Sequence, residues 1–180
     1  MKSIIFILLI LTCNVNRVKS QNIIPETPTQ VSVFPPTKQI DYRIPIIKAL
    51  GKHMDIDRLL KSPKNHAHVF SISLAFNAEG KIDSIYFNEN MSSNLKEIIN
   101  SGSNLYNLSK ALNSIKFNNE FTNKIALLPI VLKRWEDQEI DNAGEFLSDL
   151  SALWPRLKLK DKSKQVVFLE PFVNHYSTIN

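Results

Sequence analysis

The sequence contains a single cysteine, four glycines and no long hydrophobic run. One cysteine cannot form an intrachain disulfide, so a domain in an oxidising compartment would depend on its core for stability. A glycine-rich phosphate loop, a G-x-S-x-G elbow and a CxxC pair are all missing. These absences disfavour nucleotide-binding, common hydrolase and thiol-redox classes. We therefore predict a non-enzyme, with no catalytic, metal-binding or cofactor-binding residues assigned.

The apolar residues that are present begin the chain. Lys2 precedes an apolar run of nine residues from Ile4 to Thr12, whereas a membrane-spanning helix needs about 20. This length is typical of a signal-peptide core. Val18 and Ser20 occupy the −3 and −1 positions of a cleavage site before Gln21. The sequence therefore predicts a signal peptide over residues 1–20, a periplasmic or secreted location and no transmembrane span in the mature chain.

Cys13 supports an alternative processing. It follows Ile10-Leu11-Thr12, which is similar to the lipobox at which bacterial lipoproteins are cut and acylated. Acylation at Cys13 would make the chain a lipid-anchored structural protein of the cell envelope, and cleavage would then fall before Cys13 rather than after Ser20.

The high pI of 9.3 depends strongly on the predicted signal peptide. The chain has 22 basic and 17 acidic residues, and losing Lys2, Arg17 and Lys19 leaves 19 basic against 17 acidic. This near balance gives no reason to expect nucleic-acid binding.

Residues 21–45 contain five prolines and read as an arm or linker. Within the arm, the segment 31–34 (VSVF) could form an edge strand. The remainder, 46–180, is long enough for one domain.

Apolar spacing predicts an α+β fold with a small antiparallel sheet and helices packed on one face. Period-two alternation marks a strand from Phe70 to Phe76, a turn at 77–80 and a return strand to Phe87. A third strand spans Lys124 to Trp135, with a bulge or an edge position expected at Pro129. Helical spacing predicts helices after Pro45, around Leu95, over Leu105–Ile115 and over Phe146–Trp154. Residues 156–160 (RLKLK) and 165–169 (QVVFL) predict a C-terminal hairpin.

The middle of the chain resembles the C-terminal domain of the TonB family. The resemblance rests on VFSISLAFNAEGKIDSIYF (Val69 to Phe87), two helical stretches and IALLPIVLK (Ile125 to Lys133). It covers a core of residues 46–133 and leaves 134–180 as a helix-hairpin extension. It implies a binding module in which an exposed sheet edge accepts a strand from a cell-envelope partner. The nine-residue apolar run and short arm do not support the energy-transducing activity of that family.

Three groups of polar residues could carry chemistry. His66 and His68 would project from one face of the first strand but have no third metal ligand placed by sequence. His53 and His175 stand alone. The cluster Glu136, Asp137, Glu139 and Asp141 follows the third strand and is typical of a solvated loop. A third group is an alternating basic run of Arg156, Lys158, Lys160, Lys162 and Lys164. In a strand these side chains would share one face, where they would keep an edge strand soluble or contact an anionic surface.

Two functional hypotheses come from these patterns besides the lipid-anchored one. The first is an exported interaction module of the cell envelope. The alternative is a secreted hydrolase that uses the acidic loop 136–141 with His66 and His68, which requires these groups to meet in one cleft.

Overall fold

A computed structural model describes residues 41–103 and 105–177 and the backbone of residues 31–33. The predicted signal peptide, its cleavage site and Cys13 lie outside the described residues. The strands are β1 Val31–Val33, β2 His68–Phe76, β3 Ile82–Phe87, β4 Lys124–Arg134, β5 Gln165–Phe168 and β6 Phe172–Tyr176. The helices are α1 Arg43–Gly51, α2 Ile56–Leu60, α3 Ser93–Ile98, α4 Tyr106–Asn113 and α5 Ala143–Ser151.

The α+β fold with a small sheet is confirmed. Its central strands β3, β2 and β4 are antiparallel neighbours, as the alternation predicts. The turn between β2 and β3 is also confirmed: Asn77 Oδ1 accepts hydrogen bonds from the N–H groups of Glu79 and Lys81, at 3.1 and 2.9 Å. Gly80 adopts a positive φ of 70°, which favours glycine because a Cβ would crowd the backbone.

The predicted C-terminal hairpin is wrong. Residues 156–160 form no strand in the described part of the chain, and Leu159–Asp161 is a 3-10 turn. β5 and β6 instead run parallel to β4, on the side that β2 does not occupy. Val166 and Val167 are both buried, and a strand buried on both faces suits the inside of a sheet better than a surface hairpin.

Pro129 occupies neither an edge strand nor a bulge of its own strand. It lies in register opposite Ser71 in the middle of the sheet. The irregularity lies instead in the strands that pair with β4 on this side. Leu127 pairs with Phe168 of β5 and Ile130 pairs with Phe172 of β6, so three residues along β4 correspond to four residues along β5 and β6. The interruption between β5 and β6 therefore flanks the proline, which lacks an N–H to donate.

The even-numbered residues of β2 define the first face of the sheet, which α1 to α4 cover. Phe70, Ile72, Leu74 and Phe76 form one core with buried side chains of these helices. The helical contribution consists of Ile46, Leu50, Leu59, Leu95, Ile98, Leu108 and Leu112. Asp55 caps α2 because its side chain accepts a hydrogen bond from the Arg58 N–H, which has no partner inside the helix.

The expectation that all helices lie on one face is wrong for α5. The odd-numbered residues of β2 define the second face. Ser71 lies on this face, and its hydroxyl group donates a hydrogen bond to the carbonyl of Leu153, just beyond the end of α5. A smaller core of Ala75, Tyr86, Ile125, Leu127 and Val166 occupies the same face. Sequence periodicity identifies the helix, but it does not say which side of the sheet the helix joins.

β1 lies in the predicted arm and pairs in parallel with β5, Val31 opposite Val166 and Val33 opposite Phe168. The expected edge strand in this segment is thus confirmed for residues 31–33. α1 also begins inside the predicted arm, at Arg43 rather than Pro45. No helix within the described ranges is long and apolar enough to cross a bilayer.

Candidate functional site: an edge-strand groove and a buried polar cluster

A groove of about 340 Å³ lies beside β3. Among the described residues β3 pairs only with β2, so this strand is an edge of the sheet. β3 contributes Ile85, Tyr86 and Phe87 to the groove. We call this feature the β3 groove; its other lining residues are Asn88, Glu89, Met91, Lys96, Ser101, Gly102, Leu105 and Arg156.

The groove combines an apolar lining with positive charge. Ile85, Phe87 and Leu105 pack only partly against the core of the first face, so apolar surface remains for a ligand. Lys96 and Arg156 are the basic lining residues. Arg156 lies 3.6 Å from Glu89, but its side chain is 81% exposed, and an ion pair so exposed is weak. The basic groups can therefore contact an acidic ligand.

Asn113 holds the start of β3. Its Oδ1 accepts a hydrogen bond from the Ile82 N–H at 2.9 Å, and its Nδ2 donates to the Ile82 carbonyl at 3.3 Å. A side chain thus satisfies both backbone polar groups at this position, as a neighbouring strand would. A peptide binding at this edge would have to pair beyond Ile82, in the stretch 83–87 that runs into the groove.

A second group of polar residues, buried or partly buried, lies where β2 starts and β4 ends. Ser62 Oγ lies 3.1 Å from His68 Nε2. Arg134 donates to the carbonyl of Ser62 and, at 3.4 Å, to that of Leu60 at the end of α2. The guanidinium also lies 6.0 Å from the ring centre of Tyr176. We call Ser62, His68, Arg134, Tyr176 and Asp137 the polar cluster.

Burial shifts the pKa of two members of this cluster, His68 and Tyr176. His68 is fully buried, and loss of solvation lowers its pKa, which favours the neutral ring; Glu145 opposes this effect and His66 adds to it. Burial likewise raises the pKa of Tyr176. Asp137 is 4% exposed, and neither of its carboxylate oxygens has a hydrogen-bond partner among the described residues.

The polar cluster does not form an accessible catalytic site. A serine hydroxyl within 3.1 Å of a histidine nitrogen has the geometry of a nucleophile and its base. Ser62 is only 6% exposed and His68 is 0% exposed, so a substrate cannot reach either group in this structure. No sequence motif marks Ser62 and His68 as a pair.

The acidic loop lies next to the histidine segment, as the hydrolase hypothesis requires. The Asp141 N–H donates to the Asn65 carbonyl at 2.8 Å, and Asn142 bonds both backbone polar groups of Ala67. The carboxylates of the acidic loop nevertheless do not converge on one cleft. Asp137 is buried, Glu136 and Glu139 are exposed, and Asp141 accepts a hydrogen bond from the Asn65 side chain.

The other candidate residues are dispersed. His53 Nε2 lies 3.2 Å from the Asn100 carbonyl, and His175 packs edge-on against Trp135 with ring centres 5.1 Å apart. Within 41–103 and 105–177, no group of three or more His, Cys, Asp or Glu side chains is placed to hold a metal ion.

The basic run does not share a strand face, which corrects the sequence interpretation. Lys160 pairs with Asp83 at 2.5 Å, and Lys164 pairs with Asp161 at 2.6 Å. Asp161 is fully buried and also accepts a hydrogen bond from Tyr86 Oη. Burial alone would raise the pKa of Asp161, but these hydrogen bonds outweigh it and hold the pKa below its usual value.

Comparison with known proteins returns no relative. No family model matches this chain, and neither the curated proteins nor the solved structures include a match. The resemblance to the TonB C-terminal domain therefore stays a prediction from the sequence.

Proposed function

We propose that this chain is an exported, non-catalytic interaction module of the cell envelope that binds an extended peptide segment of a partner protein at the β3 groove. The observation that carries the proposal is a groove of about 340 Å³ beside an edge strand. Export rests on the N-terminal pattern of Lys2, the apolar run and the small residues before Gln21.

The geometry favours strand addition over recognition of a folded surface. An edge strand presents backbone donors and acceptors that an extended peptide can pair with, while adjacent pockets select its side chains. Ile85, Phe87 and Leu105 favour apolar side chains in the peptide. Lys96 and Arg156 favour an acidic residue or a carboxyl terminus beside them.

Gly102 provides a direct test of the groove. A Cβ at Gly102 would meet no atom within 4 Å, and the same is true of Gly144 on α5. Gly102→Trp therefore places bulk in the groove, while Gly144→Trp adds the same side chain outside it. Peptides would be selected from a random library on the wild-type protein, and their affinities for both variants measured by calorimetry.

The proposal predicts that Gly102→Trp weakens the selected peptides at least 10-fold and that Gly144→Trp leaves their affinity unchanged. Circular dichroism and a thermal melt would establish that both variants fold. Equal affinity for the wild type and Gly102→Trp would show that the groove is not the binding site.

The proposed export has its own test. Mass spectrometry of protein recovered from outside the cytoplasm should find a chain that begins at Gln21. A chain that begins at an acylated Cys13 would favour the lipid-anchored alternative instead, and an unprocessed chain confined to the cytoplasm would overturn export.

A further inference from the structure

α5 presents two leucine side chains to solvent. Leu147 is 60% exposed and Leu150 is 42% exposed, whereas the helix's fully buried residue is Asp149. Trp154, which follows the helix at the same spacing, is 45% exposed and contacts Phe168 with ring centres 5.6 Å apart. An apolar helical stripe that turns away from its own core is typical of a surface that binds something else.

The apolar stripe leads into a segment with basic residues. From Trp154 to Lys164 the chain has five basic residues against one acid, Asp161, and that acid is buried. Lys158 and Lys162 are exposed, and neither has an ion-pair partner among the described residues. Leu159 lies between them and is 83% exposed.

The exposed position of Leu159 is fixed by the turn around it. Asp161 is held by Tyr86 and by Lys164, and the Asp161 N–H donates to the Lys158 carbonyl at 2.9 Å. Lys160 is tied to Asp83 at 2.5 Å. These contacts attach the turn to the body of the protein on the C-terminal side of Leu159, which lowers the entropy cost of holding Leu159 in a bound state.

We propose that Leu147, Leu150, Trp154 and Leu159, together with Lys158 and Lys162, form a docking surface for an anionic lipid membrane. The charge complementarity selects this partner, because exposed lysines beside exposed leucines and a tryptophan match a layer with anionic headgroups above an apolar phase. None of these six residues lines the β3 groove, so the inference does not depend on peptide binding there.

Tryptophan fluorescence can report on this surface alone. The chain has two tryptophans, so Trp135→Phe leaves Trp154 as the single emitter. This protein would be titrated with vesicles of phosphatidylcholine containing 30% phosphatidylglycerol and with vesicles of phosphatidylcholine alone, and brominated lipids would serve as quenchers. A signal at Trp154 separates this surface from any lipid contact made by the apolar N-terminal run.

With anionic vesicles, the inference predicts a blue shift of Trp154 emission and quenching by brominated chains. Pure phosphatidylcholine should bind much more weakly. In this single-tryptophan protein, Lys158→Gln and Lys162→Gln should each lower partitioning about 5-fold, and Leu159→Asp about 10-fold or more. Lys52→Gln and Lys64→Gln are matched controls, since both lysines are exposed and lie outside the docking surface, and they should bind as the parent does.

Two results would overturn the inference. The first is an unchanged Trp154 emission in the presence of anionic vesicles, including the case in which the chain sediments with them through another segment. The second is a blue shift that depends on protein concentration without vesicles, which would show that a second copy of the chain covers this surface.

Discussion

Asp149 accepts a hydrogen bond from the backbone N–H of Ser92 at 2.6 Å and a second from Ser92 Oγ at 3.1 Å. Ser92 is also the cap of α3, because its Oγ accepts from the Leu95 N–H at 3.3 Å. One buried carboxylate thus joins α5 to the start of α3. This contact explains why Asp149, rather than Leu147 or Leu150, is the buried residue of α5.

We expect Asp149→Ala to lower the free energy of unfolding by about 1–3 kcal/mol, because the Ser92 N–H then loses a buried acceptor. Asp149→Asn keeps one acceptor oxygen and should recover part of the loss. Urea denaturation of both variants measures the difference. If alanine and wild type unfold at the same urea concentration, Asp149 does not hold α5 in place.

The turn that carries Leu159 should depend on Asp161. Asp161→Ala removes the partner of Tyr86 and Lys164 from a buried site, so we expect a loss of about 3 kcal/mol, comparable to breaking a buried ion pair. Exposed Lys162→Ala should change stability by less than about 0.5 kcal/mol. A thermal melt of the two variants compares them, and equal melting temperatures would contradict the anchoring role of Asp161.

His68 should make the protein less stable in mild acid. Its pKa is lowered in the folded state by burial, so the unfolded chain binds the proton more readily. The contribution of neutral His68 is complete above the unfolded pKa of about 6.5 and declines as the pH falls below it. Unfolding free energies at pH 7.5 and 5.5 should differ less in His68→Gln than in wild type. An equal difference in the two proteins would contradict this role for His68.

The turn between β2 and β3 should require glycine for its backbone conformation. Gly80 has a φ of 70°, while a Cβ there would lie 3.5 Å from Thr122 Oγ1, an ordinary contact. Gly80→Ala should therefore cost about 1 kcal/mol through backbone strain. Gly102→Ala, at a position without a positive φ, should cost less than half as much in the same denaturation experiment. An equal cost at both sites would contradict this explanation.

The part of the fold that was predictable is the part with regular apolar spacing. Alternation from Phe70 to Phe76 gave β2, and Asn77 with Gly80 gave the turn. Apart from Pro129, which lies inside the sheet rather than at an edge or a bulge, the failures lie after Lys133. Residues 156–160 alternate as a strand would, but tertiary contacts of Lys160 and Asp161 hold them as a turn. The sequence could not reveal these contacts, because Asp83 and Tyr86 lie more than seventy residues earlier.

The candidate sites were hidden from the sequence for a related reason. The β3 groove is lined by residues between Ile85 and Leu105 and by Arg156, which lies much further along the chain. Ile85, Phe87 and Leu105 are apolar residues that helical or strand spacing assigns to a core. Only the position of Ile85 and Phe87 at the sheet edge, and of Leu105 beside it, leaves part of each available for a ligand.

Hydrogen–deuterium exchange of the amides at 83–87 tests the proposed function most directly. With a saturating concentration of a library-selected peptide, some of these amides should exchange at least 10-fold more slowly, because a bound strand supplies acceptors that water supplied before. Protection should be lost in Gly102→Trp and retained in Gly144→Trp. Unchanged exchange over 83–87, or protection confined to β6, would contradict strand addition at the β3 groove.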